Sequence, residues 1–406
     1  LVAIPDPAAV PNPRTEESRR MKRPAHALFT LPLLALLLVP AARATEVPKP
    51  PAVDARGYIL EDFASGQVLA QEKADERMEP ASLTKIMTAY VVFKALREKR
   101  LQLDELVTIS EHAWRAGGAG SGGSTTFLKL GSQVPVEVLI KGMIIQSGND
   151  ASIALAERAG GTESAFVELM NTSARELGMK STHFEDSTGL PSADHYTTAR
   201  DMATLSRALI RDFPDYYRYY GMHDFVWNNI HQQNRNGLLD RDPTVDGIKT
   251  GHTDAAGYCL ITSANRNGMR LISVVLGSPS VKAREDASAA LINYGYTFYE
   301  TSRLKSRGET LLNPRVYKGA ADNVAVGPVT DVSLTLPRGD AGAIRTSVHV
   351  EEPLIAPLAR GTAVGELDVS DASGDVVQRV PLYPLADVAA GGIWSRLKGT
   401  VALWLR

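Results

Sequence analysis

The chain has 406 residues, 44% of them hydrophobic and 22% charged, with a formal net charge of −2. That length can bury two or three domains, and the near-neutral balance lacks the basic field that nucleic-acid partners require. Its single cysteine, Cys259, cannot staple the fold, so stability has to come from packing, and the thiol reads as a buried small hydrophobe on a strand.

The first legible segment starts at Met21. Lys22 and Arg23 form a positive stretch, Leu28 to Val39 an apolar run too short for a stable span, and Ala42-Arg43-Ala44 a small-residue cleavage site. Residues 1–44 therefore read as an upstream extension plus export signal, with an uncleaved membrane anchor as the alternative. Pro48, Pro50 and Pro51 then make a stiff lead-in.

From 45 to 302 the pattern predicts an α+β domain. Gly57–Glu61 and Gln67–Gln71 read as a hairpin with Gly66 in its turn. Helical spacing of apolar residues predicts helices over Leu83–Lys99, Pro135–Met143, Asp150–Ala159, Ser164–Leu177 and Thr198–Arg211. Strands return at Val245–Thr250, Tyr258–Ser263 and Arg270–Leu276, the last two joined through Asn265-Arg266-Asn267-Gly268, and a helix follows over Ala287–Tyr299. Strands at both ends of a helical middle imply one antiparallel sheet covered by helices. Residues 303–385 turn to Val, Thr, Gly and Pro with short alternating runs, Val332–Leu336, Ile344–Val350 and Asp375–Val380, and read as a small all-β domain. In 386–406, Ile393, Trp394, Leu397, Val401, Trp404 and Leu405 share a helical stripe with basic neighbours. Such an amphipathic helix suits a membrane interface; the alternative is a terminal helix docked on its own domain.

One stretch raises the chemical question: in "PASLTKIMTAY", Ser82 and Lys85 are three residues apart and share a face if a helix begins near Ser82. A serine needs a neighbouring base to become a nucleophile, and lysine serves only if burial or another cation lowers its pKa from about 10.4. A second cation is therefore predicted nearby. Alone, the pair is equally readable as a helix cap, and Ser302/Lys305 and Ser395/Lys398 repeat the spacing.

Two further elements shift the weight. Ser147-Gly148-Asn149 lies between helical patterns, where a loop can project a hydroxyl and an amide into a cleft. Lys249-Thr250-Gly251 closes a strand and supplies the second cation, a hydroxyl, and a residue beside which a substrate backbone can lie closely. In this order, Ser-x-x-Lys, Ser-x-Asn and Lys-Thr-Gly resemble the motif set of penicillin-binding proteins and class A β-lactamases. The surrounding "IIQSGNDASIALAE" and "VDGIKTGHTDAAGYCLITSA" are similar to the low-molecular-mass penicillin-binding proteins that are D-alanyl-D-alanine carboxypeptidases, over about Val53 to Glu300.

The resemblance implies a β-lactamase/transpeptidase-like fold and a serine carboxypeptidase that removes the terminal D-alanine of peptidoglycan stem pentapeptides through an acyl-serine, with β-lactams as covalent inhibitors. It further implies Ser82 as nucleophile, Lys85 as its base, Ser147 as proton relay to the leaving amine, and Asn149 on the substrate amide. Lys249 would hold the positive potential, Thr250 and Arg284 would bind the substrate carboxylate beside Gly251, and the backbone N–H groups of Ser82 and His252 would face the oxyanion. No metal or organic cofactor is implied, and the implied place of work is the periplasmic face of the inner membrane, held by the C-terminal helix. A D,D-endopeptidase, a weak β-lactamase and a non-catalytic peptidoglycan-binding scaffold are the rival readings. "FEDSTGLPS" carries the loop acids Glu185 and Asp186 but not the Glu-x-x-Leu-Asn of class A β-lactamases. The glycine-rich Gly117–Gly123 lacks a phosphate-loop ending and reads as a mobile loop beside the site; His183, His195, His223 and His231 lack metal-ligand spacing.

Overall fold

The computed structural model describes residues 47–340, 344–371 and 373–405; the export signal expected before Thr45 lies outside the described residues. A five-stranded antiparallel sheet runs in the order Val68–Glu72, Gly57–Asp62, Met269–Ser278, Gly257–Arg266, Val245–Thr253. The two halves of the chain meet where Ile59 pairs with Val274 and Leu60 with Ser273. Period-2 alternation sends Ile59, Ile261 and Val274 into the helical layer on one face, and Leu60, Leu260 and Val275 against the helix Val281–Phe298 on the other. Burial on both faces accounts for the run Leu271–Leu276, apolar except for the buried Ser273. The turn at Asn267 and Gly268 has φ of 53° and 86°, the double positive φ that a two-residue hairpin needs.

Helix Lys85–Arg97 crosses the middle of the helical layer and is buried almost all round, with Ile86, Met87, Val92 and Phe93 at its heart. Its start is therefore held in place, which matters because the catalytic candidates sit there. Helix Val281–Phe298 begins six residues before the expected Ala287, because Ser280 Oγ caps it by accepting from Ala283 N at 3.1 Å. That earlier start places Arg284 inside the first turn, facing the sheet.

The helical layer ends at Phe298. Strand Tyr299–Lys305 already pairs with Val332–Pro337, so residues 299–302 belong with the β-rich region rather than the domain before it. A four-stranded sheet, Val326–Gly327, Val376–Pro384, Gly365–Ser370 and Arg345–Val350 in that order, completes this region around Val326, Leu367, Val369 and Leu382. Thr301 Oγ1 donates to Asp62 Oδ2 at 2.7 Å, and the Ser65 and Thr335 hydroxyls lie 2.6 Å apart, tying the Tyr299–Lys305/Val332–Pro337 pair to the first hairpin of the five-stranded sheet.

The final helix, Ile393–Trp404, packs against the β-rich region beside Val316–Tyr317. Gly399 is its buried residue, and a Cβ there would lie 2.6 Å from the backbone N of Lys318. The apolar stripe points to solvent, with Trp394 84% and Trp404 85% exposed. Among the described residues no helix is long and apolar enough to cross a membrane.

Candidate active site

Ser82 lies in a 3₁₀ turn, Ala81–Thr84, that runs directly into helix Lys85–Arg97. Pro80 and Thr84 occupy the two cap positions, and neither start has a side-chain capping bond, so helix capping does not explain Ser82. Instead Lys85 Nζ lies 3.1 Å from Ser82 Oγ. The same nitrogen donates to Asn149 Oδ1 at 2.7 Å and to the Thr188 carbonyl at 2.6 Å. A neutral amine has two hydrogens and one lone pair; with the hydrogens committed to Asn149 and Thr188, the lone pair is left for the Ser82 proton.

Lys85 is 1% exposed. Burial, reinforced by the Arg235 charge and opposed by Asp186 and Asp150, lowers its pKa from 10.5 to about 7. The neutral form a base requires is thus well populated at neutral pH. The expected second cation, Lys249, is also buried, and it is pushed well down, first by burial and then by Lys85, Arg235 and Arg284. Desolvation, rather than the second lysine, is the main force on Lys85. Lys249 donates to the Thr250 carbonyl at 3.0 Å.

Ser147 adopts φ of 66° in the turn between the wide helical turn Gly142–Gln146 and helix Asn149–Gly160. Its Oγ is buried and makes no hydrogen bond within the described residues. Gly148 is required beside it, because a Cβ would sit 2.0 Å from Thr126 Oγ1. Behind this turn the Asp150 carboxylate accepts from Thr126 N at 2.7 Å, Thr125 Oγ1 at 2.8 Å and Leu128 N at 3.0 Å, fastening the segment that follows the glycine-rich run to the Asn149 helix.

The Lys-Thr-Gly segment lies on the edge strand of the sheet. Gly251 is also tight on its protein side: a Cβ there would meet Pro80 O at 3.2 Å and Ala81 Cβ and Leu83 Cγ at 3.3 Å, so its missing side chain eases the close approach of the Ser82 turn. Arg284 is buried with Nη1 3.3 Å from the Gly251 carbonyl and 3.4 Å from that of Cys259. The His252 ring stacks on Tyr258 at 4.0 Å and takes no part in the Ser82–Lys85 contact.

Ser82, Ser147, Asn149, Thr250, Gly251, His252 and Arg284 all line one cavity of about 470 Å³, with Gly122 to Ser124 on one rim and Thr188 to Leu190 on another. Lys85 and Lys249 lie beneath it. The tertiary structure therefore brings every candidate together. Among the described residues no carboxylate lines this cavity, while Arg235 and Arg284 do. Its chemistry suits an anionic ligand.

Sequence reasoning missed three contributors. Arg235, in "NRNG", had no periodic or motif signal. The Thr188 carbonyl is backbone, invisible as a residue type. Asp186, read only as a loop acid, accepts from Thr188 N at 2.6 Å, Thr188 Oγ1 at 2.8 Å and Gly189 N at 2.7 Å, and so sets the turn whose carbonyl holds Lys85. Burial would raise its pKa, but nearby His195 and these donors outweigh that and hold it at about 2. His195, also buried, places Nε2 3.0 Å from Thr84 Oγ1 and Nδ1 3.5 Å from Asp186. Gly189 has φ of 89°, and a Cβ on it would lie 1.7 Å from the Ala81 carbonyl oxygen, against the nucleophile turn. Cys259 is buried with its thiol pKa raised to about 11 by desolvation. No His, Cys, Asp and Glu group among the described residues could hold a metal ion.

Comparison with known proteins points to one family. The peptidase S11 family model, D-alanyl-D-alanine carboxypeptidase, matches residues 44–280, and the penicillin-binding protein 5 C-terminal domain matches 299–390. The chain is 43% identical to D-alanyl-D-alanine carboxypeptidase DacA of Escherichia coli over 87% of its length and 88% of that protein. It is 44% identical to DacC of the same organism, over 89% and 91%. Penicillin-binding protein 5 from Haemophilus influenzae superposes with a TM-score of 0.77 at 40% identity, covering 84% of this chain and 99% of that one.

Proposed function

This chain belongs to the D-alanyl-D-alanine carboxypeptidase family and is a serine-type hydrolase of that activity, and on that premise we propose how its residues divide the work. Ser82 Oγ attacks the carbonyl between two D-alanines as Lys85 takes its proton. The tetrahedral oxyanion is met by the backbone N–H groups of Ser82 and His252; loss of one such donor costs about 3 kcal/mol of barrier stabilisation. Ser147 passes a proton to the departing amine, D-alanine leaves, and water hydrolyses the acyl-Ser82. Asn149 holds the substrate amide, Lys249 the positive potential, and Thr250 with Arg284 and Arg235 the terminal carboxylate. A chain continuing past that carboxylate would leave those donors unpaired, which selects for a free C-terminus.

The observation that carries this reading is the 3.1 Å Lys85–Ser82 contact, made by an amine whose pKa is about 7. Peptidoglycan stem peptides are the proposed substrates and β-lactams the proposed acylating inhibitors. The exposed tryptophan stripe of the last helix supports attachment to a membrane surface, and the export-signal pattern supports the periplasmic face of the inner membrane. Mass spectrometry after incubation with penicillin tests the site: the adduct maps to Ser82 in the parent protein and is absent from Ser82→Ala. Offered donor pentapeptide and cross-linked dimer together, the enzyme releases D-alanine from the pentapeptide first; preference for the dimer would make it an endopeptidase.

A further inference from the structure

The docking of the last helix leaves two cavities side by side. One, of about 250 Å³, is polar and lined by Arg315, Lys318, Asp322, Ser395 and Lys398 together with backbone around Gly319. The other, of about 420 Å³, is lined by Trp394, Leu397, Val401, Ala402 and Leu405. Arg315 and Lys398 belong to both and form the wall between them.

Three cations face one carboxylate in the polar cavity, and none of the three makes an ion pair among the described residues. Elsewhere on this surface arginines do find acids: Arg360 reaches Asp387 and Arg379 reaches Asp368. An excess of unpaired positive charge beside an outward-facing apolar groove matches a molecule with an anionic head and hydrocarbon tails. The helix orientation adds to this. Because it docks through Gly399, its apolar residues stay exposed while Ser395 and Lys398 on the same helix line the cationic cavity.

We propose that Arg315, Lys318 and Lys398 seat the phosphate headgroup of an anionic phospholipid, with its acyl chains along the Trp394–Leu405 stripe. This rests on the membrane-surface reading of the helix and goes beyond it by making attachment selective for lipid charge. The β-rich region then has a role of its own, since Arg315 and Lys318 come from it and the helix alone cannot form the seat.

The test is sedimentation of the full-length protein with vesicles of phosphatidylcholine alone and of phosphatidylcholine mixed with an equal part of phosphatidylglycerol. Each basic residue at an anionic surface is worth about fivefold in partitioning, so Arg315→Gln/Lys398→Gln loses about 25-fold on the mixed vesicles and is unchanged on phosphatidylcholine. Arg396→Gln, on the same helix but lining neither cavity, serves as the control and loses clearly less than Lys398→Gln. Equal losses for Arg396 and Lys398 would mean a diffuse field and overturn the seat. So would a parent protein that binds both vesicles alike, although membrane attachment would stand. Failure to bind either vesicle would remove the membrane reading and the seat together.

Discussion

Asp186 offers a test in which charge and geometry separate. Asp186→Asn keeps an oxygen able to accept from Thr188 and Gly189 but removes the negative charge behind Lys85. The native carboxyl is held at about 2 against an ordinary 3.8; at about 1.4 kcal/mol per pK unit, the fold favours its charged form by about 2 kcal/mol. The side chain is 24% exposed, so little of this is lost to solvent screening. Because the folded pKa is depressed, the stabilisation is present in full above about pH 4 and is lost as pH falls toward 2, with about half remaining at pH 3. Urea denaturation of the parent and Asp186→Asn should therefore differ by about 2 kcal/mol at pH 7 and by about 1 kcal/mol at pH 3. The same substitution removes a charge that raises the Lys85 pKa, so the ascending limb of penicillin acylation against pH moves to lower pH. A stability difference that does not change with pH, or a limb that stays in place or moves upward, would refute the account of Asp186 as the charge behind the turn.

Other consequences follow from the same geometry. In the parent protein the acylation rate rises with pH through about 7, as Lys85 loses its proton; stopped-flow acylation across pH 5–9 checks this, and a flat profile would disqualify Lys85 as the base. Gly189→Ala places a Cβ 1.7 Å from the Ala81 carbonyl at a left-handed φ and should destabilise the fold by more than about 1 kcal/mol, as read by thermal melting, with loss of acylation. Arg284→Gln should cost about 10- to 150-fold in kcat/KM on a peptide with a free terminal carboxylate, the range of a lost charged hydrogen bond, and far less on its C-terminal amide. Deleting residues 391–406 should move active enzyme into the soluble fraction; identical partitioning of the parent and truncated proteins would count against the anchor.

The primary sequence by itself announced the residue types and their order. Period-2 and helical patterns carry hydrophobicity directly, so most strands and helices were legible, as was the nucleophile–lysine pair, which one helical turn spans. Polar starts were not legible: "SVKARED" has no apolar repeat, and only the Ser280 cap shows that its helix begins early enough to turn Arg284 toward the sheet. Nor could sequence reveal how closely Gly251 is approached, since the atoms that would crowd a Cβ belong to a turn about 170 residues earlier. What only the tertiary structure decided is the set of protonation states and the groups that impose them. Lys85 is set near 7 by burial together with Arg235, Asp186 and Asp150, three charges contributed from three separate stretches of chain. A lysine's charge is governed by what surrounds it in space, and in an unfolded chain each of these groups would be in water.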